Sequence, residues 1–143
     1  MNDMKECMKL FLRWVRKNRF KQKQLKSLEE KYNFYRNRWM SIGGISYDLE
    51  RVQGGSNKDP HLEAFYKMVE TEEKIKKVQL ELKSFYSFRD SLTEKQILFF
   101  NQVLIDGYSI SKFCKLNDVS LSRGYELKQL ICLKWHKKRF LLT

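Results

Sequence analysis

Met4, Met8, Phe11 and Val15 recur at helical spacing, with Cys7 and Trp14 widening the same face. Lys5, Lys9, Arg13, Arg16, Lys17 and Arg19 fall between them, so the first element reads as a basic amphipathic helix. Such a helix suits a membrane surface, a partner protein or nucleic acid; packing of its apolar face within the protein is the expectation here. From Leu25 the spacing alternates between three and four through Leu28, Tyr32, Tyr35 and Trp39, the pattern of a coiled-coil seam. About two heptads are sustained, which fits a helical hairpin and a dimer equally.

Gly43-Gly44 ends this helix, and Gly54, Gly55, Ser56, Asn57 and Asp59 are turn or cap formers, so 41–60 reads as a flexible connector. Gly54-Gly55 lacks the following Lys-Ser/Thr that would make it a phosphate loop. Asp59-Pro60 opens a second long helix, Pro being tolerated in a first turn. Its expected stripe is Phe65, Met68, Ile75, Leu82 and either Phe85 or Tyr86, interrupted by Glu72 and Gln79. Glu70 with Lys74 and Glu72 with Lys76 are spaced to support it as i, i+4 pairs.

A fresh helix starts after Thr93, with Gln96 completing a capping box, and Asp106-Gly107 stops it. Ile97, Phe100, Val103 and Leu104 should form its buried face. Ile110 to Leu116, the turn Asn117-Asp118-Val119 and a helix from Leu121 capped by Ser120 follow. Two helices joined by so short a turn predict helix-turn-helix geometry, closed by Ile110, Phe113, Cys114, Val119, Leu127, Leu130 and Ile131. The chain is therefore expected to be all-α: a helical hairpin over 1–90, with a possible coiled coil, then a three-helix domain over 91–143.

Length and charge bound what this architecture can do. The 143 residues suit one compact domain or two small ones. The net charge of +12 favours a polyanionic partner and is uneven. Residues 1–40 carry 12 Lys and Arg against 4 Asp and Glu, and 91–143 carry 9 against 4, whereas 61–90 carry 6 against 6. A basic run alone is usually a solvated face; beside a docking helix it becomes informative. Cys7, Cys114 and Cys132 form no C-x-x-C pair, so buried thiols are expected rather than a disulfide framework or zinc module, and the Cys132, His136 spacing is read as structural. Neither a signal peptide nor a membrane span is indicated, which points to the cytoplasm. No nucleophile, acid and base pair, cofactor motif or metal site stands out, so no enzyme is expected.

The C-terminal SLTEKQ and LIDGYSISKFCKLNDVSLSRGYELKQLI, with the middle ISYDLERVQGGSNKDPHLEAFYKMVETEEKI, resemble the phage late-transcription regulators of the RinA/ArpU type. These end in a domain similar to region 4 of sigma factors. The resemblance covers the whole chain and implies a phage or prophage origin, action in a bacterial cytoplasm and control of a phage operon. Gly124, where such a helix normally buries Val or Ile, Asn117, where an apolar residue is usual, and Cys114 in place of Ala depart from that pattern. A Gly inside a helix costs about 1 kcal/mol relative to Ala. The Cys114 change is mild, since Cys is small and apolar; the Gly124 and Asn117 changes imply either an altered helix crossing, filled by Phe113, or a motif that no longer reads DNA.

Helix-turn-helix geometry would offer Ser120, Leu121, Ser122, Arg123, Tyr125, Glu126 and Gln129 to the major groove. Arg to guanine and Asn or Gln to adenine are the strong base contacts, and this set is poor in them. Phosphate contacts from Lys95, Lys112, Lys115, Lys128, Lys137, Lys138 and Arg139 should then dominate. Two functions remain open. One is a regulator of double-stranded DNA, with the hairpin for homodimerisation or RNA polymerase contact; the other is an interaction module for a host protein or a nucleoprotein such as a defence complex.

Overall fold

The computed structural model describes residues 2–43 and 59–142, with side chains over 4–41 and 59–139. The 41–60 connector falls largely outside the described residues. Helix α1 spans Asn2–Gly43 and α2 spans Pro60–Asp90; α3 (Glu94–Phe99) runs into a π-helical segment, Phe100–Ile105, before α4 (Ile110–Asn117) and α5 (Leu121–Leu142). The described residues are helical with no strand, so the fold is all-α. No described helix is long and apolar enough to cross a membrane.

Local capping explains the boundaries. Pro60 takes the first helical position of α2, where its missing N–H costs nothing, and Asp59 Oδ1 accepts from His61 N at 3.0 Å. At α3, Gln96 N donates to Thr93 Oγ1 and Thr93 N donates to Gln96 Oε1, the expected reciprocal box. Gly107 takes φ +82° and stops the π segment, as its left-handed assignment requires.

The chain divides into two compact units, residues 21–81 and residues 1–20 with 82–143. The start of α1 and the end of α2 thus fall in the same unit as the C-terminal helices.

Within the 21–81 unit, α1 and α2 are antiparallel. Lys21 Nζ lies 3.6 Å from Glu81, the Lys67 ammonium faces the Tyr35 ring, and Trp39 stacks on His61 and lies tilted against Phe65. The seam residues Leu25, Leu28, Tyr32, Tyr35 and Trp39 are half-buried. On α2 the buried positions are Ala64, Met68, Thr71 and Val78. Thr71 and Val78 thus occupy places where Glu72 and Gln79 would have broken the stripe, so α2 keeps a three-four spacing in which Thr71 is a polar member, its hydroxyl satisfied by donating to Lys67 O at 2.7 Å. Glu70 with Lys74 and Glu72 with Lys76 form the expected pairs, each at 3.4 Å and exposed; such pairs contribute little to stability.

In the other unit, Cys7, Phe11 and Val15 of α1 are buried together with Leu82, Phe85 and Phe88 of α2. Phe85, not Tyr86, is the core residue. Trp14 and Trp135 join Phe11, Phe85, Phe88 and Phe100 in an aromatic cluster with ring centroids 5.1–6.5 Å apart, the range in which tilted and edge-on rings attract. Phe99 packs edge-on to Phe113 at 5.1 Å. An α-helical period would bury Ile97 and Val103, yet both are half-buried, whereas Gln96 and Phe99 are buried beside Phe100 and Leu104. Gln96 and Phe99 belong to the α-helical turn, and the wider π turn follows from Phe100. Asp106 N donates to Asn101 O at 2.9 Å, five residues back, and the altered residue angle lets adjacent Phe99 and Phe100 face different parts of the core.

Candidate nucleic-acid interface

The connection between α4 and α5 is built by short-range polar contacts. Ser109 Oγ accepts from Lys112 N at 3.1 Å and caps α4. Asn117 completes α4 rather than lying in the turn, and Asp118 takes the left-handed conformation at φ 54°, ψ 48°. Val119 N donates to Cys114 O at 3.0 Å, and Arg123 N donates to Ser120 Oγ at 3.2 Å. The Ser120 cap therefore forms as its position predicts.

The three unusual residues around this connection explain one another. Gly124 is buried, and a Cβ there would lie 2.6 Å from Cys114 Sγ and 2.9 Å from Ile110 Cγ2. Cys114 and Ile110, not Phe113, occupy the space above it; Phe113 turns toward Phe99. Asn117 Nδ2 donates to Gln102 Oε1 at 2.8 Å and to Phe113 O at 2.9 Å, so its amide ties α4 to the π segment where an apolar residue would only pack.

This frame sets the outward face of α5. Leu121, Ser122, Tyr125, Glu126 and Gln129 are all exposed, and Ser120 is exposed beside them. Arg123 is half-buried and its guanidinium pairs with Glu126 at 3.0 Å, so each tempers the other's charge. Gln129 is the one amide in the outward set. Leu116, Leu121 and Tyr125 leave large apolar groups in solvent, with exposures of 61%, 53% and 51%.

The expected phosphate contacts fall into separate groups. Lys95 lines a groove of about 210 Å³ with Arg123, Asn117 and Asp118. Lys112 places its ammonium 4.0 Å above the Tyr108 ring, and Lys128 shares a cleft with Tyr108 and Ser109. Lys115 is exposed on α4. Lys137 and Lys138 are exposed near the end of α5, and Arg139 borders a groove of about 550 Å³ with Met4, Cys7 and His136. Lys134, in the same basic tail, is committed to the fold, donating to Gln96 Oε1 at 2.7 Å. Arg16 and Arg19 of α1 line the cleft that holds Lys128, a placement that no local sequence pattern marks.

The thiols are buried as their composition suggests. Cys7 and Cys132 bring their sulfurs to 3.3 Å, and burial, then the hydrogen bond with Cys7, pushes the Cys132 thiol up to about 12. Cys132 is buried while His136 is exposed. No group of three or more potential metal ligands occurs among the described residues.

Compared with family models, curated proteins and solved structures, the chain matches none.

Proposed function

We propose that the protein is a DNA-binding transcriptional regulator of a phage or prophage operon, in which α4 and α5 act as a helix-turn-helix. The observation that carries this reading is the exposure of Leu121, Ser122, Tyr125, Glu126 and Gln129 along the start of a helix fixed by a short, capped connection. A protruding helix of this kind matches the width of the major groove. Lys95, Lys112, Lys115, Lys128 and the Lys137-Lys138-Arg139 tail supply the phosphate contacts. With Arg123 engaged by Glu126, Gln129 is left as the principal reader of a base edge. Affinity then comes mainly from phosphates, with strong salt dependence and modest sequence preference. The α1 and α2 hairpin serves dimerisation or contact with bacterial RNA polymerase.

The test is a titration of fluorescent duplex DNA, random and operon-upstream, at several salt concentrations. Binding should weaken log-linearly with salt, and Lys112→Glu with Lys115→Glu should lower the slope by about two. A folded protein with no affinity at low salt would overturn the reading.

The exposed apolar side chains of Leu116, Leu121 and Tyr125 favour a second reading. Leu116 ends α4 and Leu121 and Tyr125 begin α5, and large exposed apolar groups suit a protein partner better than a phosphate backbone. In this reading the same face binds a host protein or nucleoprotein complex without reading sequence. Loss of a defined protein complex on Leu121→Ser with Tyr125→Ser, with DNA affinity unchanged, would favour it.

A further inference from the structure

Arg16 and Arg19 come from α1, Tyr108 and Ser109 from the start of α4, and Lys128 from α5, yet they border one cleft of about 440 Å³. Its floor is apolar, contributed by Leu12, Val15 and neighbouring core residues, and no carboxylate lines it. None of the three cations forms an ion pair among the described residues. Arg16 makes one long hydrogen bond, from Nε to Leu12 O at 3.4 Å on its own helix. A guanidinium nitrogen of Arg19 lies 3.3 Å from where a Cβ on Gly107 would stand, so Arg19 reaches across the turn that leads into α4. Lys112, outside the lining itself, places a fourth positive charge 4.0 Å over the ring of the lining residue Tyr108.

Like charges gathered over an apolar floor repel one another, and the repulsion is relieved only by an anion or by water. Because Ser109 caps α4, the positive end of that helix opens on the same cleft and adds to the field. Arginine forks match the oxygens of a phosphate better than lysine does. From Lys112 the positive surface continues to Lys115, one turn along the exposed face of α4. The anion that fits is one that extends beyond the cleft, as a polymer does.

We propose that the cleft seats a backbone phosphate of duplex DNA, held by Arg16, Arg19 and Lys128, so that the N-terminal helix is part of the DNA-binding surface. This inference rests on the DNA-binding reading above. It assigns to α1 a contact that a helix-turn-helix alone does not supply, and it makes Arg16 and Arg19 positioning contacts without base specificity.

The full chain carrying Arg16→Gln with Arg19→Gln should bind random duplex DNA at least roughly tenfold more weakly at low salt. Its log-log salt slope should be smaller by about two, and that of Lys128→Gln by about one. Arg16→Lys with Arg19→Lys should keep most of the slope, and Lys77→Gln, an exposed lysine of the 21–81 unit, should leave it unchanged. Thermal melts verify folding; should the double variant not fold, Lys128→Gln carries the test. Wild-type DNA binding with unaltered slopes in the cleft variants overturns the cleft assignment and leaves the DNA-binding reading intact. Absence of wild-type binding overturns both. A melting shift with inorganic pyrophosphate that the double variant abolishes, beside unaltered DNA slopes, would assign the cleft to a free phosphate ligand and overturn the proposal.

Discussion

Gly124 of α5 lies so close to Cys114 of α4 that a single added carbon would come within 2.6 Å of the sulfur. The two residues are complementary: a larger side chain on one helix is matched by none on the other. The Cys114 thiol also donates to Ser120 O at 3.4 Å, tying the close approach to the residue that caps α5.

Gly124→Ala should therefore destabilise the protein although Ala is the better helix former. The gain in propensity is about 1 kcal/mol, against about 1–3 kcal/mol for overpacking a filled site. Both contacts are side chains on α4, Cys114 Sγ and the β-branched Ile110 Cγ2, so relaxation requires both side chains to leave their positions or α4 and α5 to separate. Urea unfolding should show a lower midpoint for Gly124→Ala, and partial recovery when Cys114→Ala is added, with Ile110 still in the way. A stabilised single variant would show that the helices separate at no cost.

Asn117→Ala should cost about 1 kcal/mol, the usual net worth of a hydrogen bond between neutral groups. The loss should couple to Gln102, because the two amides meet at 2.8 Å. A double-mutant cycle with Gln102→Ala should give a coupling of roughly 0.5 kcal/mol or more. Strict additivity would mean that the contact contributes nothing in solution.

The Cys132 thiol should make the protein sensitive to alkali. Its pKa rises from an ordinary 9.0 to about 12 in the folded protein, chiefly through burial and then through Cys7. The unfolded thiol loses its proton first, so below about pH 9 this group leaves stability unchanged. Between about 9 and 12 stability falls as pH rises, with a slope approaching about 1.4 kcal/mol per pH unit. Denaturant midpoints measured across this range should fall less steeply for Cys132→Ala than for the wild type. At neutral pH, an aromatic disulfide reagent should label the three buried thiols slowly in the native protein and rapidly in denaturant.

Phe11→Ala should unfold the unit that contains α4 and α5, although Phe11 lies about a hundred residues earlier in the chain. Phe11 is fully buried, with its ring 5.6 Å from Trp135 and 6.5 Å from Phe88. Replacing a buried Phe by Ala costs about 3–5 kcal/mol, a large part of the stability of a small unit. Near-ultraviolet circular dichroism should lose the Trp signal at a much lower temperature. An unchanged melt would mean that the N-terminal helix does not belong to that core.

The helices and most of their boundaries were legible in the sequence because the forces that set them act over a few residues. The Thr93 and Gln96 box, the Ser120 cap, the left-handed Gly107 and the Glu70 and Glu72 pairs all join groups within five positions. The exposed set on α5 followed in the same way from helical period and from the cap that starts it. Periodicity also marked the seam from Leu25 to Trp39, yet a polar residue at one position hid that Thr71 and Val78 carry the opposite stripe. Only the tertiary structure decided what each apolar face meets. It placed Phe11 and Trp14 against Trp135, introduced the π turn that begins at the buried Phe100, fitted Gly124 under Cys114, and gathered Arg16, Arg19 and Lys128 around one cleft. Spacing along a helix specifies which side chains share a face, but the partner of that face is chosen by packing among segments far apart in the chain, where no local pattern records it.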